Sequence, residues 1–375
     1  MITMNYQQIQ QFIYLSLILQ SSAYRIPESR INIHYGSRKV NIAVQSVSPL
    51  SRRPMYTATL NIMDGSMTLP IMAVADMDEE SPSETMEGTY VSPSVRGFFT
   101  YNLNTKQFSI DWQYTYNYTS RLNYEGRGME LSDLKTFNGY LYSVDDKTGV
   151  VFRLTTDKAI PWVINPDGDG FDNKTFKTEW MTIKDEHLWI GGYGKEYTNE
   201  DGSIRDNKPF YIKIIDRFGV IQHVNWEMEF KKVRASIGIQ FPAYMIHEAV
   251  QWSDIHRKWF FLPRRASFEP YTDETVQFMS TNYLISTDEN FETFEVVKVG
   301  NVHPTRGFSA FQFVPGSQDN IIVAIKSEEV SNWPLATYIM VFGIDGQVYM
   351  DETKIPGDFK LEGLEFFDFQ IMECC

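Results

Sequence analysis

GRGMELSDLKTFNGYLYSVDDKTG, residues 126–149, contains a polar cluster, a strand, a tight turn and a second strand in one continuous unit. Its turn is Asn138-Gly139, a dipeptide typical of the two-residue turn of a β-hairpin. The first strand begins near Ser132, and the second strand ends in Asp146. The stretch therefore predicts a hairpin that carries oxygen-bearing side chains at one end.

Three further stretches repeat this arrangement of a strand, a polar turn and an apolar strand that ends in charge. They are TEWMTIKDEHLWIGGYGKE from Thr178, HEAVQWSDIHRKWFFLPRRAS from His247 and FSAFQFVPGSQDNIIVAIKSEE from Phe308. Each first strand starts at a Ser or Glu, which we call the head of the strand. A fifth head lies in LEGLEFF, so the five heads are Ser132, Glu179, Glu248, Ser309 and Glu362. They recur at intervals of roughly 50–70 residues, close to the length of a four-stranded propeller blade with its loops.

The fifth head, Glu362, lies so near the C-terminus that no second strand follows it. PIMAVADMD, residues 70–78, has the missing form, because it is an apolar run that ends in Asp76 and Asp78. We therefore predict an all-β, five-bladed β-propeller over residues 25–375, in which a strand from the N-terminal part closes the last blade. The alternative is that these hairpins belong to some other β-rich fold, since hairpins that end in charge are common.

The composition agrees with a β-rich class. Aromatic residues make up 15% of the 375 residues and hydrophobic residues 43%, with strand formers frequent and no long helix-forming tract. Residues 97–116 predict another hairpin, with its turn at 102–106. The best helical candidate is the segment 225–237, for which we expect one or two turns at most.

The net charge excludes some partners. The chain has 34 Lys+Arg against 48 Asp+Glu, a formal charge of −14, which repels polynucleotides and anionic membrane surfaces. A small polyphosphate can still bind if a divalent cation lies between it and the protein. The two cysteines, Cys374 and Cys375, are adjacent at the chain end and cannot brace the fold.

The N-terminus bears on location. Phe12 to Leu19 is a short apolar run followed by small residues, which predicts that residues 1–24 are a signal peptide or a short hydrophobic segment. The run is too short for an ordinary membrane span. Two N-x-[ST] sequons, at Asn117 and Asn173, agree with a glycoprotein that is secreted or resides in the ER/Golgi lumen. The oligomeric state stays open, and a homodimer is compatible with the sequence.

In a propeller the first strand of each blade lines the central channel, so the five heads should converge on one axis. Glu179, Glu248 and Glu362, with oxygens of Ser132 and Ser309, would then form an oxygen cage. Such a donor set favours Ca²⁺ over Zn²⁺, which prefers His or Cys. The second strands carry further charged groups to one rim, where a phosphate and a water could be held: Asp76, Asp78, Arg127, Asp145, Asp146, Lys195, Arg264 and Arg265. For any one of these residues, a structural salt bridge is the alternative.

Other catalytic motifs fail on spacing. Residues 191–196, GGYGKE, lack the form of a phosphate-binding loop, and the acidic segment 167–172 departs from the EF-hand pattern and predicts a tight turn. The six histidines contain no H-E-x-x-H pair, and no G-x-S-x-G occurs. Covalent catalysis is therefore not indicated.

Several of these segments together resemble the calcium-activated nucleotidases, or apyrases, which include insect salivary apyrases and vertebrate soluble nucleoside diphosphatases. They are AVADMDEES, GRGMELSDL, FNGYLYSVDDKTGVV, PWVINPDGDG, FKTEWMTIKDEHLWIGGYGKE, HEAVQWSD, KWFFLPRRAS, HPTRGFSAFQFVPGSQDNIIVAIKSEE and LEGLEF, and they cover most of residues 70–367. Residues 1–60 match no pattern of this family that we identify.

The resemblance implies a five-bladed propeller with a central Ca²⁺ that hydrolyses nucleoside di- and triphosphates to monophosphate and inorganic phosphate, often UDP and GDP better than ADP. The family's metal positions match Ser132, Glu179, Glu248, Ser309 and Glu362, with Asp133 adjacent. The family's active-site positions match Asp76, Arg127, Glu130, Asp146 and Arg264.

Three hypotheses follow. The first is a calcium-dependent nucleotide phosphohydrolase, in which water attacks the terminal phosphorus of UDP, GDP, ADP or ATP. The second is a non-catalytic propeller that binds a protein or glycan and uses calcium as a structural plug. The third is a lactonase or other esterase on the same fold. The basic residues at the rim argue against this third hypothesis, because a neutral lactone does not need cations that bind phosphate.

Overall fold

The computed structural model describes residues 31–32, 39–45, 54–61, 63–368 and 372. The apolar run from Phe12 to Leu19 and both cysteines lie outside the described residues. No helix among the described residues is long and apolar enough to cross a membrane.

The strands form five blades. The N-terminal sheet contains β1 (Ile31–Asn32), β2 (Lys39–Gln45), β3 (Pro54–Asn61), β4 (Met67–Ala75), β5 (Tyr90–Asn102) and β6 (Gln107–Ser120). The first complete blade contains β7 (Leu131–Phe137), β8 (Tyr140–Asp145), β9 (Val150–Leu154) and β10 (Ala159–Ile164). The second contains β11 (Trp180–Lys184) and β12 (His187–Gly191), then a separate hairpin of β13 (Tyr197–Thr198) and β14 (Ile204–Asp206), then β15 (Tyr211–Ile215) and β16 (Ile221–Asn225).

The third blade contains β17 (Ala243–Ser253), β18 (Lys258–Pro270), β19 (Tyr283–Asp288) and β20 (Phe294–Lys298). The fourth contains β21 (Arg306–Phe313), β22 (Ile321–Glu328), β23 (Ala336–Gly343) and β24 (Val348–Lys354), and the last strand is β25 (Leu361–Phe366). Among the described residues, two α-helices, α1 (Glu227–Ala235) and α2 (Asp273–Val276), and two short 3-10 helices, Asp78–Glu80 and Lys208–Phe210, lie between strands. The predicted helical segment is therefore confirmed by α1, which is slightly longer than expected.

The fifth blade closes the ring. β25 pairs antiparallel with β4, with Leu361 opposite Ala75 and Phe366 opposite Ile71, and β5 and β6 complete the sheet. The five inner strands contact one another in a closed cycle, from β7 through β11, β17, β21 and β25 back to β7. The predicted five-bladed propeller is confirmed, and so is its closure by a strand from the N-terminal part.

Apolar side chains fill the spaces between blades. One cluster joins the fourth and fifth blades through residues such as Ile71, Val323 and Leu364, all of which are fully buried. A second cluster is built around Trp180 and Trp259. Burial of a large apolar side chain contributes about 1.5–3 kcal/mol, so these clusters hold the blades in fixed relative positions without any disulfide among the described residues.

The strand heads lie at irregular points of the inner strands. The pairing register shifts at Ser132, Glu248, Ser309 and Glu362, as expected of a β-bulge, which redirects side chains. As a result, the residue three positions after each head lies in a second polar layer of the channel. These residues are Lys135, Thr182, Gln251, Gln312 and Glu365, and all are buried.

Hydrogen bonds link this second layer across the blades. The ammonium of Lys135 donates to Gln251 Oε1 at 3.0 Å and to Gln312 Oε1 at 2.9 Å, and it lies 3.6 Å from Glu365 Oε2. Thr182 Oγ1 donates to Gln251 Oε1 at 3.1 Å. Because every blade contributes one member, the layer fills the channel with polar side chains beyond the heads and fixes the positions of the inner strands.

Candidate active site

A cavity of about 540 Å³ opens at the end of the channel where the heads lie. Residues from all five blades line it, and most of those on the channel side are charged: Asp76, Asp78, Asp146, Lys177, Glu179, Glu248, Arg264, Arg265, Glu329, Lys360 and Glu362. Carboxylates and cations thus meet in one concave site, which is the arrangement expected for an anionic substrate and a metal ion.

Three heads form a compact acidic cluster. One carboxylate oxygen from each of Glu179, Glu248 and Glu362 lies within 4.8 Å of the other two, and all three side chains are buried. Glu179 immediately precedes β11, whereas Glu248 lies in β17 and Glu362 in β25. Burial raises the pKa of Glu179 and of Glu362 well above the usual range. We call these three residues the glutamate cluster.

Three cations contact the glutamate cluster. Arg264 donates to both Glu248 and Glu362, and its second terminal nitrogen lies 2.9 Å from Glu329. The ammonium of Lys177 lies 3.1 Å from Glu179 Oε1, and that of Lys360 lies 3.8 Å from Glu362 Oε1. These contacts partly offset the repulsion between the glutamates.

The two serine heads are buried. Ser132 Oγ donates to the carbonyl of Glu130 at 3.2 Å, and Ser309 Oγ donates to the carbonyl of Leu361 at 2.9 Å. Their oxygens remain candidates for metal ligation, as do the nearby carbonyls, because an oxygen that donates a proton can still accept.

The carboxylate of Asp133 makes different contacts from those of the glutamates. It accepts the backbone N–H of Leu134 at 2.7 Å and that of Met181 at 2.6 Å, so it connects β7 with β11. It is not part of the glutamate cluster. Burial raises the pKa of Asp133 to about 8. These contacts favour a role in holding the inner strands over direct ligation.

A second acidic cluster lies in the same site. One carboxylate oxygen from each of Asp76, Glu130 and Asp146 lies within 4.8 Å of the other two, and we call this set the aspartate cluster. Arg127 donates to both oxygens of Glu130, at 2.7 and 2.6 Å, and to Asp78 at 2.9 Å. The structure therefore brings these predicted active-site residues into one group.

Two lysines connect the two clusters. Lys177 contacts Asp146 of the aspartate cluster and Glu179 of the glutamate cluster. Lys360 lies 2.8 Å from Asp76 Oδ2 and also faces Glu362. The two clusters thus share their counterions and form one electrostatic unit.

Burial shifts the acidity of the aspartate cluster. It raises the pKa of Asp76 to about 7, against the opposing effect of Lys360. It raises the pKa of Glu130 to about 8, against the hydrogen bonds from Arg127. Neighbouring carboxylates add to both shifts, because like charges disfavour ionisation. Asp76 and Glu130 therefore exchange protons near neutral pH, where a general base works best.

Asp145 does not join the site. Its carboxylate is fully buried and accepts backbone N–H groups of Met129 and Thr148, at 2.8 and 3.2 Å. It stabilises the turn after β8. The expectation that Asp145 lies at the rim beside Asp146 is therefore wrong, because neighbouring residues at the strand end point in different directions.

The sequence prediction missed Lys177, Glu329 and Lys360. Lys177 and Lys360 each lie two positions before a glutamate head, and side chains two apart in an extended chain share a face. The pattern K-x-E at two heads was the signal that identifies them. The corresponding position before Ser309 is Gly307, where a Cβ would lie 2.4 Å from Arg264 Cγ, so glycine leaves room for the arginine.

The fold and this site define a propeller enzyme for anionic substrates, and comparison with known proteins gives its family. The chain belongs to the apyrase family, whose model matches residues 77–367. It is 42% identical over 344 residues to soluble calcium-activated nucleotidase 1 of Mus musculus, covering 92% of this chain and 80% of that protein. It is 44% identical over 335 residues to apyrase apy-1 of Caenorhabditis elegans, covering 88% and 93%. An apyrase of Cimex lectularius is 41% identical over 299 residues, covering 79% and 82%.

Among solved structures, RS223-Beta-xylosidase matches with a TM-score of 0.33 and 9% identity, covering 74% of this chain and 94% of that one. This similarity is too low to carry an argument. The family resemblance read from the sequence is confirmed, and the chain is a nucleotide phosphatase.

Proposed function

We propose that this protein hydrolyses nucleoside di- and triphosphates, among them UDP, GDP, ADP and ATP, to nucleoside monophosphate and inorganic phosphate in a calcium-dependent reaction. The observation that carries the proposal is the pair of buried carboxylate clusters joined by Lys177 and Lys360 in one cavity. One cluster suits a cation, the other suits an attacking water, and the lysines between them suit phosphate oxygens.

The glutamate cluster fits Ca²⁺. Its donors are all oxygen, they are buried, and they converge within 4.8 Å, which matches the preference of a hard cation for several carboxylates. Glu179, Glu248 and Glu362 would hold the ion, with oxygens at Ser132 and Ser309 completing the set. When bound, Ca²⁺ supplies positive charge that stabilises the developing charge on the phosphate oxygens.

Three cationic side chains of the protein would then bind the substrate. Arg264, Lys177 and Lys360 act as counterions of the glutamates in this structure, a role that would pass to an ion held by the glutamates. The guanidinium of Arg264 would then donate to the terminal phosphate. The two ammonium groups would keep Asp146 and Asp76 as partners and donate to the phosphate with their remaining N–H bonds.

The aspartate cluster would activate water. A carboxylate of Asp76, Glu130 or Asp146 accepts a proton as the water oxygen bonds to the terminal phosphorus. The bond from that phosphorus to the bridging oxygen breaks, and the nucleoside phosphate leaves with the bonding electrons. Arg127 holds Glu130 through two hydrogen bonds and so fixes the orientation of this group.

The activity should depend on the protonation of the aspartate cluster. A carboxylate accepts a proton only when it is ionised, and the pKa values of Asp76 and Glu130 are raised to about 7 and about 8. We expect kcat/KM to increase with pH up to about 8 and then to level off. Measuring kcat/KM at saturating calcium from pH about 5.5 to 9.5 tests this increase. A flat profile over that range would exclude Asp76 and Glu130 as the base.

The substrate class is tested by measuring phosphate release from UDP, GDP, ADP and ATP at saturating calcium, with UMP as a control. We expect one phosphate from each diphosphate, a monophosphate as the final product, and no release from UMP. Purified, folded protein that releases no phosphate from any di- or triphosphate would refute the proposed activity.

We also propose that the protein is secreted or resides in the ER/Golgi lumen and is glycosylated. Both sequon asparagines, Asn117 on β6 and Asn173 in the turn before β11, are exposed, which leaves room for a glycan. A homodimer stays a prediction. Enzymatic deglycosylation should change the electrophoretic mobility of the wild-type protein. It should not change the mobility of the Asn117→Gln and Asn173→Gln double variant.

A further inference from the structure

One wall of the cavity comes from a segment outside the five blade sheets. The chain between β12 and β15 passes over the site and contains the small β13–β14 hairpin, which pairs only with itself among the described strands. Five cavity-lining side chains belong to this segment: Tyr193, Lys195, Tyr197, Thr198 and Arg205. A two-stranded ribbon of this length has little intrinsic stability, so something else must hold this wall in place.

A buried ion pair connects the segment to helix α1. Glu196 accepts two hydrogen bonds from Arg234, with Nη1 to Oε2 at 2.6 Å and Nη2 to Oε1 at 2.7 Å. Both side chains are almost fully buried, at 3% and 4% exposed. Burial would raise the pKa of Glu196, but the hydrogen bond from Arg234 lowers it below the usual value. The pair is therefore ionised, bidentate and shielded from water, which makes it strong and directional.

The position of Glu196 in the segment decides what the pair controls. Successive side chains of an extended chain point to opposite sides. Lys195 and Tyr197 face the cavity, whereas Glu196 between them faces α1. Fixing the carboxylate of Glu196 therefore fixes its two neighbours that line the cavity.

Helix α1 offers a rigid support. Its Phe230 and Val233 are buried in the cluster around Trp180 and Trp259. Phe230 also lies against Gly194, where a Cβ would come within 2.4 Å of the ring. No residue of α1 is among the residues that line the cavity. The helix therefore acts on the site indirectly, through the segment and through the ring of His247, which Phe230 contacts.

We propose that Arg234 is a positioning residue for the reaction: through Glu196 it holds the segment 193–205 as a wall of the substrate cavity. The inference rests on the proposed nucleotide hydrolysis and names a residue of that site which the family resemblance does not identify. Arg234 touches neither the glutamate cluster nor the aspartate cluster, so its loss should affect substrate binding more than the chemical step.

The test compares Arg234→Met and Glu196→Gln with the unmodified protein in calcium and UDP. We expect KM to increase about tenfold in both variants and kcat to change less than about threefold, because the wall is displaced while the clusters keep their geometry. Arg234→Lys, which can form only a single ion pair, should recover part of the increase in KM.

A second readout reports on the segment itself. Glu200 lies exposed at the tip of the β13–β14 hairpin, and a protease that cuts after glutamate should cleave there faster in Arg234→Met than in the unmodified protein. The matched control is Lys232→Met on the same helix, because Lys232 is exposed and does not line the cavity. We expect this variant to keep the KM and cleavage rate of the unmodified protein.

The outcomes separate the two claims. An inactive unmodified protein would refute the proposed function. An active protein whose folded Arg234→Met and Glu196→Gln variants keep its KM and its cleavage rate at Glu200 would refute the positioning role. An equal fall in kcat and kcat/KM at unchanged KM would also refute it, since the loss would then lie in the transition state alone.

Discussion

Replacing Arg264 with methionine is expected to reduce kcat/KM for UDP by about three orders of magnitude. Arg264 contacts Glu248 and Glu362 of the glutamate cluster and also Glu329, which lines the cavity. Its guanidinium therefore lies between the glutamate cluster and the cavity lining. An arginine that stabilises a transferring phosphoryl group contributes roughly 10³–10⁵ in rate. Steady-state kinetics at saturating calcium measure the loss. Arg264→Lys should retain only a small part of the wild-type kcat/KM, because an ammonium lacks the planar guanidinium geometry that donates to several oxygens at once.

Arg257→Met is the matched control for this prediction. Arg257 is half exposed and pairs with Asp254 and Glu289 away from the cavity, so we expect wild-type rates. A folded Arg264→Met protein that binds calcium and stays within about tenfold of the wild-type kcat/KM would contradict the proposed role of this arginine.

Glu179→Gln and Glu362→Gln are each expected to weaken calcium binding at least about 100-fold and to abolish hydrolysis at physiological calcium. Each change removes one of the three charges of the glutamate cluster, and calcium affinity follows the number of charged ligands. The variants should fold without calcium, because removing one of three close carboxylates reduces their repulsion. Calorimetric titration with calcium measures the affinity independently of activity.

Glu295→Gln serves as the control for the glutamate variants, because Glu295 lies on an exposed strand and pairs with Lys258. It should leave the calcium affinity unchanged. If Glu179→Gln bound calcium as tightly as the wild type, the glutamate cluster would not be the calcium site, and the proposed mechanism would lose its metal centre.

Much of the fold could be predicted from the chain because a propeller repeats one local unit. The hairpin at residues 126–149 contains its own turn signal and its own strand head, and the repeated heads indicate how many blades converge. The closing strand was predictable for a similar reason, since Glu362 lacks a following strand and residues 70–78 supply one. These features can be read from the local sequence and from the number of repeated hairpins.

The side-chain pairs in the site could not be predicted in the same way. Lys177 and Lys360 stand two residues before glutamate heads, which places them on the face of the head, but this spacing does not show that they also pair with Asp146 and Asp76. Asp145 and Asp146 are adjacent, yet only Asp146 reaches the cavity, because the turn after β8 takes up the carboxylate of Asp145. Such directions depend on local backbone geometry that strand periodicity does not contain.

The β13–β14 hairpin shows another limit on what the sequence could predict. The sequence excludes residues 191–196 as a phosphate-binding loop and places only Lys195 of them at the rim, whereas Tyr193, Tyr197, Thr198 and Arg205 also line the cavity. The partner that holds them, Arg234, lies 38 residues from Glu196. A contact between a loop and a helix at that separation leaves no periodic trace in the sequence.

Hydrolysis of UDP by the wild-type protein, measured in excess chelator and again after calcium is restored, tests the central claim most directly. In the proposed mechanism the three buried glutamates hold the ion on which the reaction depends, so we predict no phosphate release in chelator and full recovery with calcium. Undiminished hydrolysis of UDP in excess chelator would contradict this account.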